Sequence, residues 1–215
     1  MQKNIVIWDV ICYLVFPLFI WNFMRDTIGD YTAMLISTIP GIIYSFIRFF
    51  RVKQVNIFGA FMILTLIAST LVNVLAGSAL QMLWNNVYYA FAMAVFFLFT
   101  ILIKRPLFLL FTLDFVELQG YSRQKMKAIF NERKYFLVFN LITLGFAARE
   151  IILAFIKIKL ISVYGVDAFD KGLIIRNVLS WGITAICVIG FIYISKMLQA
   201  NETSRLSKNR EREVF

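Results

Sequence analysis

The chain contains no histidine. Imidazole is therefore excluded as a general base, a metal ligand and a pH switch. Cysteine is nearly as scarce. Cys12 and Cys187 both fall in apolar stretches; each reads as a small buried residue, because neither has a partner at the spacing of a zinc or redox site. No serine is framed by glycines, so a nucleophile–base pair is hard to assemble. The sequence predicts a protein that is not an enzyme and has no cofactor and no metal site. Charge is sparse as well, at 16% of residues against 61% hydrophobic and 17% aromatic. A soluble domain of 215 residues could not hide that much apolar surface. Lipid is the expected solvent, and one membrane domain is the prior for this length.

What is present is a series of long apolar runs. Six are expected to cross a bilayer, at about 5–24, 31–49, 57–76, 83–103, 135–156 and 172–196, and together they predict an all-α polytopic helix bundle. The run after Met1 is too long for a signal-peptide core and lacks a small-residue cleavage site, so it reads as a retained first helix. Pro40-Gly41 predicts a kink in the second span. Lys104-Arg105-Pro106 stops the fourth. Lys157–Lys171 reads as a loop, and 197–215 as a charged cytoplasmic tail.

Residues 107–134 differ from the rest. Leu107–Leu118 is too short to span and is expected to lie at the interface or re-enter. Its Asp114 and Glu117 share a helix face, make a poor divalent-ion site and are expected to be solvated among headgroups. Gly120 breaks the segment, and Ser122 is the expected N-cap of a second one, Arg123–Lys134. There Met126, Ile129 and Phe130 form one face, and the charge comes from Arg123, Lys125, Lys127, Arg133 and Lys134. A basic amphipathic helix of this kind is expected on anionic lipid, with Lys104, Arg105, Arg123, Lys125 and Lys127 as headgroup contacts.

The net charge of +10 is distributed unevenly. With six crossings, sixteen basic residues fall on the side of the termini: Lys3, the 48–53 turn, 104–134, Lys196 and the tail. Arg25, Lys157, Lys159 and Lys171 fall on the other. That bias predicts cytoplasmic termini. No basic stripe is interleaved with aromatics, so nucleic acid is not an expected partner. Anionic lipids on the cytoplasmic side, a second copy of the chain or another membrane protein are.

The sharpest local feature is Arg149-Glu150 inside an apolar span. A charge at membrane depth costs about 3 kcal/mol or more and normally faces a bundle interior and a partner. With the orientation above, Asn22, Asn73, Asn85, Asn86, Arg149, Glu150, Arg176 and Asn177 are all expected at one level in the outer half. Two accounts fit them. A hydrogen-bonded network would fix helix register. Alternatively, a cavity open to the outside would bind a small polar or ionic solute or a lipid headgroup. Adjacent helix positions diverge by ~100°, so Arg149 and Glu150 are expected to need at least two partners. Asp9, about one turn into the first span, is expected to meet interfacial water or Lys3.

Short motifs carry a resemblance. Pro40-Gly41-Ile42-Ile43-Tyr44 is followed by Arg48, Arg51 and Lys53, then by Asn56-Ile57-Phe58-Gly59 opening a helix with Ser69; Lys104-Arg105-Pro106-Leu107 comes later, after an aromatic-rich span. Over roughly residues 30–195 this pattern resembles a family of small bacterial membrane proteins related to intracellular septation protein A. The resemblance implies a six-helix inner-membrane protein with an envelope or division role, and it transfers no catalytic residue. The family often has a charged residue near the start of the fourth span, where this chain has Trp84-Asn85-Asn86. The functional expectation is thus an envelope-associated scaffold or interaction protein, the alternative being a small-solute or ion transporter.

Overall fold

The computed structural model describes residues 7–52, 56–183, 185, 186, 189 and 190. All its regular elements are helical. In chain order they are α1 (Ile7–Ile28), α2 (Asp30–Val52), α3 (Ile57–Val74), α4 (Ala79–Leu102), α5 (Leu107–Leu118), α6 (Arg123–Phe130) and α7 (Arg133–Tyr164), followed by α8 (168–183). Five helical stretches are long and apolar enough to cross a membrane: Ile7–Ile28, Asp30–Ile47, Ile57–Val74, Ala79–Leu102 and Arg133–Ile183. The last of these is folded. It bends at a 3-10 turn, Gly165–Asp167, and Arg149 meets Ser180 across the fold, so α8 returns antiparallel to α7.

Helices α1–α2, α3–α4 and α7–α8 form three hairpins whose turns gather at one end. Gly29 makes the first turn at φ 80, a backbone angle that costs glycine nothing. Ser78 caps α4 by accepting a hydrogen bond from Gln81 N. Beneath these turns Trp21, Ala33, Met34, Ala76, Ala79 and Met82 pack together with Val166 and Phe169. The Trp21 and Phe169 rings lie 5.1 Å apart. Arg25 ties the turns across the surface, pairing with Asp30 at 3.2 Å and with Asp167.

The tightest seam joins α4 to α7. Val87, Ala90, Ala94 and Phe97 are buried on α4, and Thr143, Ala147, Ala154 and Ile161 on α7. The α4 set repeats at three and four residues and the α7 set at four and seven, the spacing of a helix–helix seam, and the alanines let the two backbones approach closely. Phe97 lies opposite Phe146 (5.9 Å) and Phe91 opposite Phe155 (5.8 Å), which sets the register.

In α1, Phe16 N–H donates to Ile11 O, five residues back, forming a π-turn over Ile11–Val15. Pro17 has no N–H to continue the regular ladder. Opposite this turn, α2 runs through Pro40 as one helix. Gly41 leaves room for the Tyr13 ring, which a Cβ would meet at 3.0 Å, and the Tyr13 hydroxyl reaches Ser45 at 2.6 Å. Cys12 is buried and free.

Two expectations are corrected. Lys157–Lys171 is not a loop: α7 continues to Tyr164 and only Gly165–Asp167 separates it from α8. A 32-residue helix is about 48 Å long, more than the roughly 30 Å hydrocarbon core, so charge near its end does not stop it. The apolar face of α6, moreover, is covered by protein. Phe130 is 1% exposed and packs with Leu109, Leu113, Tyr135 and Phe139, while Met126 and Ile129 flank them. Cys187 and the 197–215 tail lie outside the described residues.

Candidate functional site

The buried stripe of α7 runs through Thr143, Ala147, Glu150, Ala154, Lys157 and Ile161, alternating steps of four and three residues. Four of these positions are apolar or small and buried; Glu150 and Lys157 are ionisable and half-buried. Arg149 stands beside the stripe. Its guanidinium donates to Glu150 Oε1 at 2.6 Å and to the Ser180 hydroxyl of α8, and both side chains of the pair are only 16% exposed. One Arg149 nitrogen, Nε, is buried with no hydrogen-bond partner. Lys157 interacts electrostatically with Arg176, Glu150 and Arg149. Three cations thus face one carboxylate, and Arg149 already holds that carboxylate.

The eight expected residues do not share one level. Asn73, Asn85 and Asn86 form one group between α3 and α4: Asn86 Nδ2 donates to Asn73 Oδ1 at 2.7 Å and to Met82 O, and Asn85 Nδ2 reaches Val72 O at 3.4 Å. Arg149, Glu150 and Arg176 belong to the second group. Asn177 turns back on its own helix, donating to Leu173 O at 2.9 Å, and Asn22 is exposed near the hairpin turns.

Arg149-Glu150 also lies in the opposite half of the bundle from the one expected. Phe146, one turn away, contacts both Phe97 near the end of α4 and Phe108 in α5. The first part of α7 is bound to α5 and α6 through Tyr135 and Phe139, which shifts the pair towards that end. The two neighbours pair with each other, and of the two Arg149 hydrogen-bonds a side chain of another helix. Lys157 and Ser180 were missed. Continuing the seven-residue step from Glu150 reaches Lys157, but assigning 157–171 to a loop ended the wheel too early.

The second ionic site lies at the α5–α6 end. Asp114 is 2% exposed. Its Oδ2 accepts a hydrogen bond from Phe58 N at 2.9 Å, beside Asn56 Oδ1, which accepts from Gly59 N at 2.8 Å. Its Oδ1 accepts from Arg123 at 2.6 Å, and Glu117 accepts from the same guanidinium nitrogen at 2.7 Å. Glu117 and then Asp114 hold the Arg123 guanidinium above its ordinary pKa range, against a smaller opposing effect of burial. Asp114 is therefore no headgroup-solvated carboxylate but a cap on α3, and Arg123 is committed to protein rather than lipid. Of the other expected headgroup contacts, Lys104, Arg105, Lys125 and Lys127 are exposed.

Among the described residues no group of three or more Cys, Asp and Glu side chains is gathered to hold a metal ion. The arrangement can clamp helices through Arg149, and it can attract an anion through its excess of positive charge. No family model, curated protein or solved structure matches the chain.

Proposed function

We propose that this chain is a non-enzymatic multi-pass protein of a bacterial inner membrane, with six crossings and cytoplasmic termini, acting as an envelope-associated scaffold. The observation that carries this reading is the α5–α6 platform. Its apolar face is spent on α7, and it is locked to α3 by Asp114 and Arg123. Its free basic side chains, Lys125 and Lys127, face away from the core. A rigid basic platform at the cytoplasmic surface suits anionic headgroups, at about 1 kcal/mol per cation near the surface, or an acidic partner segment. The distribution of basic residues supports the orientation, and the resemblance to the septation-protein-A family supports an envelope or division role. The test is mild extraction of tagged full-length chain from its membrane. The scaffold reading expects a second membrane protein or a second copy to be retained, and Lys125→Glu/Lys127→Glu to release it without lowering the unfolding midpoint. A wild-type chain extracted alone as a monomer would sink it.

Lys157 and Arg176 favour a second reading, a transporter of small solutes or ions, because cations on apolar helices at membrane depth are costly unless something charged visits them. It predicts flux in proteoliposomes that Glu150→Gln abolishes while the protein still folds.

A further inference from the structure

The ionic cluster of α7 and α8 is unbalanced in a way that helix packing does not require. Lys157 lies on the buried stripe between Ala154 and Ile161, which are 0% and 6% exposed. It is half-buried, and it makes no hydrogen bond or ion pair with the described residues. Arg176 makes none with the described residues either. The antiparallel contact of Arg149 with Ser180 fixes the level of Arg176, four residues earlier on α8. That is about 6 Å closer to the Gly165 turn, between the levels of Glu150 and Lys157. Among the described residues, the carboxylate nearby is Glu150, and Arg149 holds it at 2.6 Å. The Tyr89 hydroxyl, on the facing helix, donates to Thr65 O at 3.2 Å and so has no proton to offer. An ammonium and a guanidinium therefore stand near the Arg149–Glu150 pair, with Glu150 as the counter-charge among the described residues and that carboxylate already bonded to Arg149. Leaving such charges uncompensated away from bulk water is strongly unfavourable.

We propose that Lys157 and Arg176 form a binding site for a phosphate-type oxyanion between α4, α7 and α8. Three cations against one carboxylate leave an excess of two positive charges, enough for a phosphodiester or a phosphate dianion. The guanidinium offers a planar fork for two oxygens and the ammonium a point donor for a third. Arg176 is exposed and Lys157 is half-buried on the seam-facing stripe of α7, so the anion enters from the side of Arg176. Either the phosphate of a lipid headgroup or free inorganic phosphate supplies this chemistry. The site shares with the second reading only the location of these side chains on α7 and α8, and it stands whether or not the anion crosses.

The test uses the full-length protein in phosphate-free neutral detergent, with thermal unfolding followed in four titrations. Inorganic phosphate is compared with chloride at equal ionic strength, and short-chain phosphatidylglycerol with short-chain phosphatidylcholine. Ligand linkage predicts a rise in midpoint of about 3 °C at tenfold excess over Kd. Lys157→Gln should lose the rise, and its anion-free midpoint should lie above wild type because an uncompensated cation has gone. Lys157→Arg and the exposed-site control Lys159→Gln should keep it. If Lys157→Gln does not fold, Arg176→Gln at an exposed position takes its place. A response to phosphate alone identifies a free anion, and a response to phosphatidylglycerol alone a headgroup; both support the site. Absence of any response beyond chloride and phosphatidylcholine overturns it, as does a response unchanged in Lys157→Gln. A protein that shows the shift but no proteoliposome flux keeps the site and loses only the transport reading.

Discussion

The two ionic sites use the same chemistry to opposite ends. At the platform, Asp114 and Glu117 face Arg123, and the partial positive charge of the α3 N-terminus makes up much of the difference. Each donor has an acceptor, and the carboxylate nearest the core is the one held by a backbone N–H as well as by a guanidinium. Between α7 and α8 the count is reversed, with one carboxylate for three cations. A balanced knot reads as structure. An unbalanced one, inside apolar helices, reads as a place that something else completes. Burial alone does not separate them, because both contain side chains withdrawn from solvent.

The strongest way to break the comparison is Asp114→Ala. It strips Arg123 of its better-buried partner and Phe58 N of its acceptor, and with Arg123 still 32% exposed to dilute the ionic part we expect a loss of about 2–3 kcal/mol. Chemical denaturation in detergent measures it, and faster proteolysis near Gly120 should accompany it. Asp114→Asn keeps an acceptor for Phe58 N and should cost about half as much. An unaltered midpoint in Asp114→Ala would mean that the cap does not hold the platform.

Glu150→Gln is expected to cost less, about 1–2 kcal/mol, because Arg149 keeps Ser180. The sign of the next change distinguishes the two sites. Adding Lys157→Gln to Glu150→Gln should recover about 0.5–1 kcal/mol of that loss by reducing the cation excess. The parallel pairing at the platform, Arg123→Gln added to Asp114→Asn, should recover nothing beyond the ion pair itself. Equal coupling in the two double-mutant cycles would erase the distinction.

How much of this was legible beforehand follows from what each signal measures. The apolar runs gave helices α1 to α4 to within a few residues, since length and hydropathy are local properties. Periodicity found the face Met126, Ile129 and Phe130, but a face does not name its occupant; α5 and α7 cover it where lipid was expected. Asp114 was unreadable as a cap because its acceptor role serves a backbone N–H 56 residues away. Lys157 was hidden by a rule that stops a span at a charge, although a lysine stem can continue along an apolar seam. The common level assigned to the eight polar residues failed because α7 starts in the platform and so carries Arg149-Glu150 towards α5.

A smaller effect is expected at the surface. Arg25 joins Asp30 and Asp167 across the hairpin turns, but Asp167 is 55% exposed and Asp30 40%. Arg25→Gln should therefore cost only about 0.5 kcal/mol, less at high salt. A loss as large as that of Glu150→Gln would mean that the turn cluster, and not the seam, holds the three hairpins together.

An effect of opposite sign is expected at the joint between the platform and the seam. Lys104 ends α4 at φ 56, the one described non-glycine residue with a left-handed backbone. Its N–H donates to Ile101 O at 2.9 Å and Arg105 N–H to Thr100 O at 2.9 Å, so the helix closes on residues 104 and 105 before Pro106 opens α5. An L-residue is strained in that conformation, and glycine is not. Lys104→Gly should stabilise the detergent-solubilised protein by about 0.5–1 kcal/mol while removing one cation from the headgroup side. The same variant should bind anionic vesicles slightly less well, by about 1 kcal/mol or less. The two readouts move in opposite directions only if Lys104 serves the surface at the expense of the turn, so a variant that loses both stability and binding would show that the lysine side chain, not the backbone angle, governs this joint.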